Sequence, residues 1–336
     1  MPLTLFLFFL SAIVIYVACE YFVNGVEWVG HRFRLGATAT GTVLAAFGTA
    51  LPESVVTFMA VVFGRTPGQK DIGVGAALGG PLVLATVAYA VVGFSLMMAA
   101  RKSRLPVLAS VDRAVQRRLA LDPAWFMAIF VFKAGLGLLA FAWKPWLGVL
   151  FLPVYAWYVK RELGHDEECI DSEEIEPLKL RPLDEDPSVS WACVQTLLAL
   201  AVITAASHVF VHQLGALGQA MGVAEHVAAL LLAPVATELP EILNAVIWVR
   251  QGKSRLALAN ISGAMMIQAT IPSALGIFMT PWLFDAPLMV SALVTLAAIA
   301  LLWLRLRQAR VTAGALAAAG GFYLVFAAWL AWHYRA

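Results

Sequence analysis

Charge is scarce in this chain: Asp, Glu, Lys and Arg together make up 13% of its 336 residues. A water-facing shell uses roughly twice that share, so a soluble fold of this size is excluded. Cysteine is nearly missing too. Cys19, Cys169 and Cys193 are too few and too scattered for a disulfide framework, and the fold is expected to stand without one. Neither an H-E-x-x-H metalloprotease signature nor a G-x-S-x-G nucleophile elbow occurs. The formal net charge of +2 offers no basic surface for nucleic acid. The first apolar run lacks a positive leading region and is followed by Glu20 and Glu27 where a cleavage site would carry small residues, so it reads as a retained helix and not a signal peptide.

What fills the chain instead is apolar surface: 61% of the residues are hydrophobic and the mean hydropathy is +0.82. The bilayer is then the solvent. Ten apolar runs recur at about the length needed to cross ~30 Å of hydrocarbon. They fall near 3–25, 37–63, 72–99, 124–143, 145–159, 190–213, 223–249, 256–280, 284–304 and 311–332. The fifth, holding Pro145 and Pro153, is the shortest. The expected fold is an all-α membrane protein of about ten transmembrane helices.

Most of the 23 Lys and Arg fall in every second loop, among them Arg101, Lys102, Arg104, Arg113, Arg117 and Arg118 after span three. The positive-inside rule puts those loops in the cytoplasm and both termini outside it, and the expected location is a bacterial-type inner membrane. Eleven acidic residues crowd 162–186, a stretch that reads as a solvated cytoplasmic linker. The expected division is a first five-helix unit over 1–161, the linker over 162–188 and a second unit over 189–336.

The two units repeat each other. Phe47-Gly48-Thr49-Ala50-Leu51-Pro52-Glu53 aligns with Val235-Ala236-Thr237-Glu238-Leu239-Pro240-Glu241, and after a gap Ala76–Gly79 meets Asn260–Gly263. The repeated cores span about 36–99 and 222–280. An odd number of spans per unit makes the second enter the membrane from the opposite face, the inverted-repeat plan of secondary transporters with the site at the midplane.

The shared T-x-L-P-E carries chemistry. A proline inside a membrane helix releases the carbonyl four residues earlier, which is that of Gly48 for Pro52 and that of Ala236 for Pro240. Thr49 and Glu53, like Thr237 and Glu241, are four apart and share a helix face. Two such faces around a pseudo-two-fold axis give an oxygen-rich cage for a hard cation. Glu238 adds a third acid, and each carboxylate near a helix centre costs about 3 kcal/mol on insertion scales. Crowded at low dielectric, the three cannot all stay ionised without a bound cation.

Several other polar residues within spans invite two readings each. His208 and His212, one turn apart, suit either a metal or proton relay or ordinary backbone bonding. Glu20 and Glu27 are expected near enough to the cytoplasmic end of span one to be hydrated. Lys133 reads as a buried counter-charge or as a snorkelling side chain. The glycines of span three allow close packing. Asn260 and Gln268 in span eight are candidates to face the cavity.

These residues together resemble the sodium/calcium exchanger branch of the calcium/cation antiporter superfamily. Its repeats read approximately G-T-S-L-P-E followed by G-N-x-x-G-S-N-I-x-N, and the likeness covers nearly the whole chain. It implies Glu53 and Glu241 as central cation ligands with Thr49 and Thr237 beside them. The chain departs from that pattern at Ala50 and Glu238, where the family has Ser, and at Gly80, Leu84, Ala264 and Gln268 in the partner helices. Those positions resemble sodium-coordinating oxygens of the family. The candidate ion ligands are therefore Glu53, Glu241, Thr49, Thr237, Glu238, Gly48, Ala236 and Gln268. The expected function is secondary-active antiport of a divalent cation, Ca²⁺ first, against Na⁺ or H⁺, with no cofactor, and with the bilayer and inorganic cations as the only partners. The sequence leaves the oligomeric state open. Two other classes stay open: a transport-inactive or regulatory homologue, and an intramembrane metal-dependent enzyme using His208, His212 and the glutamates.

Overall fold

The computed structural model describes residues 2–63, 67–103, 113–164, 175–184, 186–220, 234 and 237–334. Among them the chain is helical almost throughout, with no β-strand. In chain order the spans are α1 (Pro2–Arg32), α2 (37–63), α3 (67–103), α4 (Leu121–Gly137), α5 (144–163), α6 (Val189–Ala220), α7 (Leu239–Arg250), α8 (Ser254–Met279), α9 (Ala286–Arg307) and α10 (313–333). Among the described residues seven helical stretches are long and apolar enough to cross a membrane: those in α1, α3, α4, α6, α8, α9 and α10. The other three are α2, α5 and α7. α5 is two short helices that meet at Leu150, and most of the seventh span ahead of α7, residues 223–233, lies outside the described residues.

Solvent preference is inverted relative to a soluble protein. Phe6, Phe9 and Ile13 on α1, Leu197 and Leu198 on α6, and Leu324 and Val325 on α10 point outward. Thr40, Lys133, Asn244, Asn260, Thr270 and Ser273 are buried. In a bilayer this is the low-energy arrangement, because lipid accepts Leu and Phe while polar groups need partners inside. The chain is an integral membrane protein.

α8 sits at the centre, packed against α2, α3, α4, α5 and α7. α1 and α6 pair along their lengths, with Phe8 stacked on Phe210 at 4.6 Å. The two halves interlock through glycines that the repeat makes equivalent. A Cβ on Gly79 of α3 would stand 2.7 Å from Pro234 Cγ, just ahead of α7. A Cβ on Gly263 of α8 would stand 2.6 Å from Thr42 Cα of α2. Each repeat thus brings a side-chain-free helix face against the first helix of the other, as two copies related by an in-plane two-fold axis require.

The proline of each repeat sits differently. The helix of α2 continues from Ala46 to Phe63 through Pro52, and its irregular stretch lies earlier, over Thr40–Ala45, where Ala46 N–H reaches back to Gly41 O in a widened i→i+5 turn. In the second repeat Pro240 occupies the first turn of α7, where its missing N–H costs nothing. Pro52 therefore lies within a continuous helix, whereas Pro240 marks a helix start.

Two expectations are corrected near the end of α1. Glu27 is not hydrated: it is 2% exposed, with Oε1 accepting from Trp248 Nε1 at 2.6 Å and Oε2 from Lys253 Nζ at 2.5 Å. Partners more than two hundred residues away satisfy the carboxylate that water was expected to satisfy. The linker is not wholly a solvated strap either. Ile175 and Leu178 are buried against Trp28, and Glu176 O accepts from Asn24 Nδ2 and Trp28 Nε1 at 2.9 and 3.0 Å. Residues 165–174, with Cys169, lie outside the described residues.

Candidate functional site

Thr49 is 1% exposed on α2, and its Oγ1 donates to Ala45 O at 3.0 Å, the carbonyl one turn back. Gly48 beside it is crossed closely by α1: a Cβ there would stand 2.7 Å from Phe22 Cζ. Thr237, the counterpart of Thr49, donates to Pro234 O at 3.2 Å. Both hydroxyls are thus tied to local backbone and keep their lone pairs as acceptors. Glu53 stands one turn after Thr49 in α2; its side chain, and Ala236 as a whole, lie outside the described residues.

On the other repeat the acids are placed in detail. Glu238 and Glu241 are each 1% exposed at the start of α7, three residues apart. The helix N-terminus carries the positive end of the backbone dipole, which favours carboxylates there. Glu238 Oε1 accepts from Gln268 Nε2 of α8 at 2.6 Å. Asn260, two turns earlier on α8, donates from Nδ2 to the main-chain oxygen of Glu241 at 3.2 Å, which locks α7 to α8.

Gly80 explains how Gln268 and Glu238 fit. A Cβ on Gly80 would collide with Gln268 Oε1 and lie 2.9 Å from Glu238 Oε1. Gln268 and Glu238 occupy the space that a side chain at position 80 of α3 would need.

Sequence reading missed Asn244. It is fully buried on α7, three residues past Glu241, and neither Oδ1 nor Nδ2 has a hydrogen-bond partner among the described residues. Asn260 Oδ1 and Gln268 Oε1 are likewise without partners. The i, i+3 spacing from Glu241 was the available signal. Unpartnered amide oxygens beside carboxylates are the donors a hard cation takes. Among the described residues, which leave out the Glu53 side chain, no three His, Cys, Asp or Glu side chains cluster closely enough to hold a metal by themselves. His208 and His212 are exposed on the outer face of α6 and belong to no such cage.

Lys133 of α4 is fully buried and does not snorkel. It donates from Nζ to Ala77 O of α3 at 2.9 Å and to Ser273 Oγ of α8 at 3.0 Å.

The chain is similar to an uncharacterised membrane protein of Methanocaldococcus jannaschii, 24% identical over 76% of both chains. It is also similar to the "Putative antiporter CaxA" of Alkalimonas amylolytica, at 25% identity over 83% of this chain and 82% of that one. The inner membrane protein YrbG of Escherichia coli is 26% identical over 89% and 88%. Among solved structures, the sodium-calcium exchanger NCX_Mj soaked with Na⁺ and Sr²⁺ superposes with a TM-score of 0.73 at 19% identity, covering 96% of this chain and 97% of that one. The fold is that of two inverted five-helix repeats, and the family and this structural neighbour are transporters, not enzymes. Residues 3–161 and 191–331 match the family described as sodium/calcium exchanger protein, and with nearly the whole length accounted for the chain belongs to that family of cation antiporters.

Proposed function

We propose that the chain exchanges a divalent cation, Ca²⁺ in the first instance, for protons in preference to Na⁺, at a site made by Glu53, Glu238 and Glu241 with Thr49, Thr237, Gln268 and the carbonyls of Gly48 and Ala236. The observation that carries this reading is the buried pairing of Glu238 with Gln268 in the space that a side chain at Gly80 would need. Three carboxylates and amide oxygens supply charge and hard ligands for one divalent ion. With Ala264, Leu84 and Gly80 giving no side-chain oxygen, few fixed ligands remain to strip the shells of several Na⁺ ions. The solved exchanger of the same fold was soaked with Na⁺ and Sr²⁺, which supports a divalent cargo.

Alternating access follows from the repeat. The α7–α8 and α2–α3 pairs present related faces to one midplane point, and rocking one unit against the other exposes that point to either side in turn. The units are 1–161 and 189–336 with 162–188 between them, in an inner membrane with both termini outside the cytoplasm. Purified protein in liposomes should take up Ca²⁺ when a proton gradient is imposed, and less when a Na⁺ gradient is imposed at constant pH. Absence of divalent flux under both gradients sinks the reading. The topology is tested apart from it: a cysteine introduced at Ser172 should resist an impermeant thiol reagent added outside intact cells, and labelling there overturns the orientation.

A further inference from the structure

α1 lies across both repeats. Its Cys19 Sγ stands 3.9 Å from Pro240 O at the start of α7, and its Phe22 fills the space beside Gly48 of α2. Thr49, Glu238 and Glu241 on those two helices are each 1% exposed, so these groups are shut off from solvent.

Toward its Arg32 end, α1 meets α7 a second time. The far end of α7 closes in a rigid turn: Gly252 takes the left-handed conformation at φ 81°, its N–H reaches Val249 O at 3.1 Å, and the Lys253 N–H reaches Trp248 O at 2.8 Å. That pattern sets Lys253 beside Trp248, and together they hold one carboxylate of α1. Trp248 Nε1 donates to Glu27 Oε1 and Lys253 Nζ to Glu27 Oε2. Arg250, from the last turn of α7, donates to Tyr16 Oη at 2.5 Å. On α1 the positions of Tyr16, Cys19, Val23 and Glu27 step three or four residues at a time along one stripe, and that stripe meets the second repeat from Pro240 to Lys253.

The chemistry of this second contact suits release. The Glu27 side chain is 2% exposed and that of Lys253 18%, so water reaches the edge of the pair. A buried ion pair adds little net stability over an apolar contact, because desolvation of both charges offsets their attraction. When the helices part, both charges regain hydration. The contact therefore specifies the closed geometry while leaving an open one close in free energy, which is what a two-state element requires.

We propose that Glu27 and Lys253 form a releasable latch that keeps α1 closed over the candidate site at the α7–α8 end of the pathway, with Trp248 holding the carboxylate in line. The inference rests on the alternating-access reading given above and assigns closure at one membrane face to this pair. Both are positioning residues, acting through α1 and not on the cation.

The test uses Cys19 as its reporter. In a Cys169→Ser/Cys193→Ser background it is the single thiol of the full chain, and its labelling by a charged, impermeant methanethiosulfonate is timed in right-side-out and inside-out membrane vesicles. With the latch intact, labelling should be slow from both faces. Glu27→Gln and Lys253→Gln should each raise the rate about tenfold from the face that carries the α7–α8 turn, and leave it within about twofold from the other face. The double variant Glu27→Gln/Lys253→Gln should exceed either single variant by less than about threefold, because one contact is lost only once. Equal gains from both faces mean a helix merely loosened and overturn the proposal, as do unchanged rates or gains that multiply in the double variant. If Glu27→Gln loses the wild-type size-exclusion profile, Lys253→Gln, altered at the water-lapped turn, carries the comparison. Loss of the profile by both makes the pair structural and overturns the proposal. Labelling needs no flux, so an absence of divalent transport counts against the antiporter reading, and the labelling pattern reports on the latch.

Discussion

Glu241→Gln is expected to abolish divalent flux while the purified protein keeps its size-exclusion profile. The carboxamide preserves shape and removes one of the charges that offset the ion. Loss of a charged partner in a buried site costs about 3 kcal/mol or more, which is roughly 100-fold in affinity. Folding should survive for a structural reason. Asn260 binds the main-chain oxygen of Glu241, and Cys19 Sγ approaches that of Pro240, so neither helix contact uses the carboxylate. Glu53→Gln should behave in the same way, because the repeat puts it at the related position across the midplane axis. Substantial transport by either variant in liposomes would remove that residue from the ion site.

The sequence made the spans and the duplication legible because both are one-dimensional signals. Apolar runs of bilayer length and a shared T-x-L-P-E survive without any knowledge of contacts, and the inversion follows from counting spans. Partnerships across the fold were not legible in that way. Glu27 looked hydrated because span position alone says so, while its stabilising partners Trp248 and Lys253 come from the second repeat. Lys133 stood between two readings because Pro81 and Pro272 mark released carbonyls in the sequence but give no hint of which side chain reaches them. The widened turn over Thr40–Ala45 follows no proline and has no local signature. Gly80, Glu238 and Gln268 read as three separate departures from a family pattern and proved to share one space only when α3, α7 and α8 were seen together.

That shared space underlies the second large expectation: Ca²⁺ flux should fall as pH falls and respond to pH more steeply than to Na⁺, with Glu238 responsible. Glu238 is buried within a turn of Glu241 and accepts a hydrogen bond from the neutral amide of Gln268. At the proposed site three acids share one cation, an arrangement that favours binding of positive charge, and a proton serves that need as a cation does. Lowering the pH fills carboxylates with protons and displaces the divalent ion; raising it empties them and lets the ion bind, so the sign is competitive and reverses with the gradient. The proposed preference against Na⁺ rests on two positions: Gly80 and Ala264 bring no side-chain oxygen, and a Cβ on Gly80 has no room while Glu238 and Gln268 stay in place. Glu238→Ser, which restores the family's residue, should therefore flatten the pH dependence of uptake and raise its sensitivity to Na⁺. The measurement is Ca²⁺ uptake by liposomes across a pH series and a Na⁺ series, run on wild type and Glu238→Ser side by side. If the pH profile of Glu238→Ser matches that of wild type, or if a Na⁺ gradient at constant pH drives wild-type uptake as well as a proton gradient does, Glu238 is not the coupling acid and sodium exchange is the cycle this protein runs.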